Sequence, residues 1–163
     1  MHNYMKMEIA ALSENEGFAR STVAAFALTL NPSLSELSDI KTAVSEAVTN
    51  SVVHAYGKGQ EGKILIECTA ENDAHSVGGT LHIRITDYGC GIEDVEKAIA
   101  PFDTTLSGEE RSGMVFTIMQ TFMNGFEVSS ERGKGTVVQM HKQIGGEPSI
   151  ALTDAGDREG VNA

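Results

Sequence analysis

Leu81-His82-Ile83-Arg84-Ile85-Thr86 alternates apolar and polar side chains, the period of a half-buried strand. Residues 63–70 read as its hairpin partner across a long polar connection, 71–79. A weaker alternation at 5–12 sets Met5, Met7, Ile9 and Ala11 against Lys6, Glu8 and Ala10, and predicts a strand suited to a sheet edge. Residues 126–130 and 136–142 form a last hairpin around Glu131-Arg132-Gly133-Lys134-Gly135. Between these runs the period lengthens. Ser13-x-x-Glu16 has the spacing of a capping box, and Phe18, Thr22, Phe26 and Leu30 recur at helical spacing until Asn31-Pro32 breaks the pattern. Ser33-x-x-Glu36 opens a second, longer helix reaching about Tyr56 and closed by Gly57. Short helices are expected at 93–100 and 112–124, the latter stopped by Gly125. Residues 101–111 have no period and predict a mobile loop. The stretch 143–163 is glycine-rich and acidic and predicts a disordered tail. The order implies one domain over 1–142: an α/β two-layer sandwich with a mostly antiparallel sheet and helices on one face.

The chain has 163 residues, 40% hydrophobic, with no apolar run near the ~20 residues of a membrane span and no secretory leader in MHNYMKMEIA. Cys68 and Cys90 lack metal-ligand spacing; they read as reduced thiols of a cytoplasmic protein, with a disulfide as the alternative. A net charge of -11 argues against direct nucleic-acid binding, which needs clustered cations. The same charge suits a basic protein partner. A nucleotide would need helix N-termini, backbone N–H groups, a few cations or Mg2+.

Asp87 shares parity with Leu81, Ile83 and Ile85, so its carboxylate points toward the core, a costly place for an acceptor without donors. Asp87-Tyr88-Gly89-Cys90-Gly91 therefore suits a flat donor such as an adenine amino group; an aspartate capping an ordinary strand-end turn fits too. On the long helix, Leu37, Ile40, Val44, Val48, Val52 and Ala55 form the core stripe. Opposite it Glu46, Asn50 and His54 follow one another at four-residue steps, flanked by Ala43, Ala47, Ser51 and Val53 rather than by the lysines and glutamates of a wet face. A carboxylate there can take a proton from a hydroxyl, and an amide oxygen one turn on can complete the shell of Mg2+. His54 reads as a positioning residue, and a chance alignment accounts for the row equally well. Ser112-Gly113-Met114 opens a helix after a loop with Thr104, Thr105, Ser107 and Arg111, donors suited to phosphate or to a plain helix start. Most turns like Gly133-x-Gly135-Thr136 are only turns.

Together, Glu46-x-x-x-Asn50, Asp87-x-Gly89-x-Gly91, Arg111-Ser112-Gly113-Met114 and Gly135-Thr136 resemble, in order, the nucleotide-binding boxes of the GHKL superfamily. Ser45-Glu46-Ala47-Val48-Thr49-Asn50, with Asn15-Glu16-x-Phe18-Ala19-Arg20, is closer still to its bacterial anti-sigma serine kinases, sporulation members in particular. The resemblance covers about residues 5–142. It implies a Bergerat-type ATP site: Asp87 accepting from adenine, Gly89 and Gly91 passing the base, Asn50 on Mg2+, and Glu46 as general base toward a substrate serine. Thr104, Thr105, Arg111, Ser112, Gly113 and Met114 would form the lid and phosphate cradle, and Thr136 would lie near the base. Glu16 and Arg20 match positions that meet protein partners. The implied partners are a sigma factor, held inactive by a homodimer, and an anti-anti-sigma factor as substrate. Val115 stands where the family has Gly, which implies weakened ATP binding. A non-catalytic, nucleotide-responsive binding module is the competing expectation. A fragment of a larger GHKL ATPase ranks behind both.

Overall fold

The computed structural model describes residues 2–56, 60–72, 77–99 and 111–145, the last segment without the side chains of 111–115. Five strands, β1 (His2–Ala10), β2 (Lys63–Glu71), β3 (Gly79–Asp87), β4 (Gly125–Glu131) and β5 (Gly135–Ile144), form one sheet in the order β1-β2-β3-β5-β4, every pair antiparallel. Helices α1 (Glu14–Ala27), α2 (Leu34–Asn50), α3 (Val95–Ile99) and α4 (Arg111–Phe122) accompany it on one side. The expected two-layer sandwich is therefore the observed fold. None of the described helices is long and apolar enough to cross a membrane.

The core lies where period-2 strands meet the α2 stripe. Ile64, Ile66, Cys68, Leu81, Ile83 and Ile85 are buried against Ile40, Ala43, Val44, Ala47 and Val48. Phe116 of α4 meets Phe126 of β4 with ring centroids 5.6 Å apart. Lys142 of β5 ties the two layers, donating to Asp39 of α2 at 2.9 Å and to the Phe122 carbonyl of α4 at 2.6 Å.

Boundaries depart from the sequence pattern in instructive ways. β1 begins at His2 rather than 5, because pairing with β2 runs from His2↔Glu71 to Ala10↔Lys63. The Ser33–Glu36 capping box forms in both directions, with Ser33 Oγ accepting from the Glu36 amide at 3.1 Å and Glu36 accepting from the Ser33 amide at 2.8 Å. The expected box at Ser13 does not: Ser13 itself has helical dihedrals and its hydroxyl caps nothing. Glu16 is instead engaged by Arg20 and by Ser45 of α2, and this tertiary use takes it from the local one. Past α1 the chain tightens into a 3-10 turn at Leu28–Leu30, ended by Asn31 at φ 54°. β5 runs on to Ile144 through pairing with Gly79, so residues 143 and 144 belong to the sheet. The expected loop at 101–111 loses Arg111 to the start of α4, and its remainder, 101–110, with the rest of the expected tail, 146–163, lies outside the described residues.

Candidate functional site

The largest departure from the sequence pattern falls at the C-terminal end of α2. The last turn widens into a π-helical turn, Ser51–Ala55. Such turns arise where tertiary contacts outbid the regular ladder, often at functional sites. Here the contacts are visible. Ser51, buried, donates its hydroxyl to Asp87 Oδ2 at 3.0 Å, and the Ala55 carbonyl accepts the Cys90 amide at 2.7 Å. Along the expected row the surroundings change. Glu46 and Asn50 are half-buried, whereas His54 is exposed and lies on an adjoining open groove of about 790 Å³ with Gly89 and Cys90.

Asp87 sits at the end of β3 on the core face, 4% exposed, as strand parity demands. Among the described residues its carboxylate has three donors. The Gly89 and Thr136 amides both donate to Oδ1 at 3.2 Å, while Ser51 donates to Oδ2. A carboxylate offers about four acceptor positions, two per oxygen. Oδ1 is therefore filled, and Oδ2 keeps one position for an outside donor. Burial raises the Asp87 pKa above the ordinary aspartate range, and the bonds from Gly89, Ser51 and Thr136 offset that only in part. Thr136 is fixed in turn: its hydroxyl lies 2.9 Å from that of Ser130, which accepts the Ile92 amide at 2.7 Å. Sequence reading missed both Ser51 and Ser130. Ser51 had a detectable signal, a small hydroxyl beside Asn50 on a covered face; Ser130 had none.

Both glycines meet backbone of the protein itself. A Cβ on Gly89 would stand 2.0 Å from the Ala55 carbonyl oxygen, so glycine is required by close approach of the π-helical turn rather than by a ligand alone. Gly91, at φ 75°, meets the β4–β5 turn, whose Gly133 amide donates to the Cys90 carbonyl at 2.8 Å. Tyr56 buckles the same region, donating to the Lys63 carbonyl at 2.6 Å and accepting the Tyr88 amide at 2.9 Å.

Hydrogen bonds thus bring Asp87, Gly89 and Thr136 together, with Asn50 one residue from the Ser51 link. Among the described residues, neither the Glu46 carboxylate nor the Asn50 carboxamide has a hydrogen-bond or ion-pair partner, and no group of three His, Cys, Asp or Glu side chains could hold a metal ion. Asn50 therefore suits a cation that takes most of its ligands from phosphate and water, which is the habit of Mg2+. Glu16 and Arg20 lie on α1, paired at 3.3 Å, away from Asp87 but joined to the residue before Glu46 through Ser45. Arg111, Ser112, Gly113 and Met114 form the start of α4, their side chains outside the described set together with that of Val115. Thr104 and Thr105 also lie outside the described residues.

Residues 9–142 match the family model of the histidine kinase-like ATPase domain. The chain is 51% identical over 144 residues, 88% of its length and 96% of the relative's, to a protein of Caldanaerobacter subterraneus subsp. tengcongensis named anti-sigma F factor. A Clostridium botulinum protein of the same name is 49% identical over 142 residues, covering 87% of this chain and 95% of its own. Among solved structures, the RsbU and RsbW domains of a Mycobacterium tuberculosis protein superpose with a TM-score of 0.58 at 14% identity. That match covers 87% of this chain and 32% of theirs.

Proposed function

The chain belongs to the histidine kinase-like ATPase family, beside relatives named anti-sigma F factor, and on that footing we propose that it is an ATP-binding anti-sigma factor and protein serine kinase. It holds a sigma factor inactive and transfers the γ-phosphoryl group of ATP to a serine of an anti-anti-sigma protein. The observation that carries the reading is the state of Asp87: buried, held by three donors, with one acceptor position left on Oδ2. That position suits the adenine amino group. Asn50, without a hydrogen-bond or ion-pair partner among the described residues, would hold Mg2+ at the phosphates, where the cation would supply charge neutralisation. Glu46 takes the proton of the substrate hydroxyl as the serine oxygen bonds to the γ-phosphorus; the bond from that phosphorus to the bridging oxygen breaks and ADP leaves. Little covalent help is needed, since phosphoryl transfer is governed by positioning and charge stabilisation. By the resemblance, Thr104, Thr105, Arg111, Ser112, Gly113 and Met114 cover and cradle the phosphates, His54 borders the site, and Arg20 with Glu16 serves the partner-facing side. A cytoplasmic homodimer completes the reading.

Val115 favours a second reading, a nucleotide-responsive module without catalysis, because the resemblance implies glycine at this position and valine tolerates crowding and positive φ poorly. Labelled ATP and a panel of small anti-anti-sigma proteins separate the two. Transfer to serine that disappears in Glu46→Ala while nucleotide binding persists supports the kinase. Nucleotide binding without transfer in the parent protein supports the module.

A further inference from the structure

At Asp87 the pairing of β2 with β3 stops one rung early. Ile64 is the partner of Asp87, so the next rung sets Lys63 opposite Tyr88. Their side chains keep that register, with the Lys63 ammonium 5.4 Å from the centre of the Tyr88 ring. Their backbones do not. The Tyr88 amide donates to Tyr56 Oη at 2.9 Å, and Tyr56 Oη donates to the Lys63 carbonyl at 2.6 Å. A phenol hydroxyl, which both accepts and donates, thus stands where a ladder bond would close. We propose that Tyr56 is a positioning residue for nucleotide binding: its hydroxyl is a wedge that parts β3 from β2 and delivers the turn after Asp87 to the end of α2. The proposal rests on the reading of Asp87 as the carboxylate that takes the base.

The path of the turn shows what the wedge achieves. Continued pairing would carry residues 88 and 89 along β2. Instead Gly89 lies against the last carbonyl of the π-helical turn, so near that a Cβ would stand 2.0 Å from the Ala55 oxygen. The same carbonyl accepts the Cys90 amide at 2.7 Å. With Tyr88 bonded to Tyr56, Gly89 to Asp87 Oδ1 and Cys90 to Ala55, every amide from 88 to 90 is spent on the protein. The turn therefore serves a ligand by placing Asp87, whose Oδ1 it occupies, rather than by offering amides of its own.

Tyr56 is itself held. It is the first residue past the π-helical turn, with extended backbone at φ -118° and ψ 135°. Gly62 gives its ring room, since a Cβ there would stand 2.5 Å from three ring carbons. A hydroxyl carried on a ring packed in this way has a fixed place, whereas a bridging water would be free to leave.

Phenylalanine keeps the ring and removes the wedge. The two backbone groups it releases lie at the exposed end of the sheet, so water satisfies them and the melting temperature should change little. The test is calorimetry of the full chain with Mg2+ and ADP, beside amide hydrogen exchange, for the parent, Tyr56→Phe and Gly62→Ala. Tyr56→Phe is expected to bind ADP about three- to tenfold more weakly, the range that loss of one neutral hydrogen bond gives. Without nucleotide, exchange should quicken at Tyr88, Gly89 and Cys90 together. Gly62→Ala keeps the hydroxyl but displaces its ring, and should weaken ADP binding as well. ADP affinity as in the parent in either variant overturns the proposal. So does faster exchange confined to Tyr88, because the bond alone was then lost and the turn stayed in place. A parent that binds no ADP overturns the nucleotide reading together with the proposal, whereas parental affinity in Tyr56→Phe removes the wedge and leaves that reading standing.

Discussion

Asp87→Asn separates what the carboxylate does for the fold from what it does for a ligand. The amide is nearly isosteric. Its oxygen can face the Gly89 and Thr136 amides, and its NH2 can face Ser51 Oγ, which accepts as readily as it donates. Every protein partner is thereby kept, and a buried charge is removed. The outside position, an acceptor in the parent, becomes a donor aimed at a donor. A hydrogen bond to a charged group contributes ~1.5–3 kcal/mol. At ~1.4 kcal/mol per decade the variant should bind ATP ~10- to 150-fold more weakly, with little change in melting temperature. The acid range supplies a second readout. Burial places the folded pKa of Asp87 above its unfolded one. Its contribution to stability is therefore complete below the unfolded value and is lost as pH rises through the folded one. Asparagine does not titrate, so the variant should gain stability relative to the parent as pH rises across that window. Denaturant titrations from acid to neutral pH, beside calorimetry with ATP, measure both. A variant that binds ATP as the parent does, or that loses stability relative to the parent on going from acid to neutral pH, refutes the reasoning.

Ser51→Ala removes one of the bonds that hold the Asp87 pKa down, so the acid midpoint of the ATP-affinity profile should move to higher pH; an unmoved midpoint contradicts the link. Gly89→Ala forces a Cβ to 2.0 Å from the Ala55 oxygen and should destabilise by ~1–3 kcal/mol, seen as a melting-temperature drop of several degrees by circular dichroism. Cys68, 1% exposed, has its thiol pushed up to about 12 by burial, whereas Cys90 is exposed; iodoacetamide at pH 8 should label Cys90 alone until the protein is unfolded.

Strand positions were legible because a period of two maps directly onto two faces. Ile83 and Ile85 had to be buried, and Asp87 with them. The Ser33–Glu36 cap was legible because both partners lie within one turn. The Ser13 cap misled because the competitor for Glu16 is Ser45, 29 residues away, and no local pattern carries that information. The π-helical turn was hidden for the same reason: Ser51-Val52-Val53-His54-Ala55 reads as ordinary helix until Asp87 and Cys90 draw on its ends. His54, in that turn, is exposed whereas Glu46 and Asn50 are half-buried. Gly89 stands out in the sequence as a point of close approach, and the neighbour the structure gives it is the protein's own backbone; close approach looks identical in sequence whether it serves a ligand or a packed turn.

In the proposed function one carboxylate, Asp87, reads one purine. A crystal structure with Mg2+ and a non-hydrolysable ATP analogue tests it most directly. The expected result is the adenine amino group hydrogen-bonded to Asp87 Oδ2, Asn50 on the cation and Glu46 turned toward the γ-phosphate. A purine seated elsewhere, with the Asp87 carboxylate still holding only Ser51, Gly89 and Thr136, contradicts it.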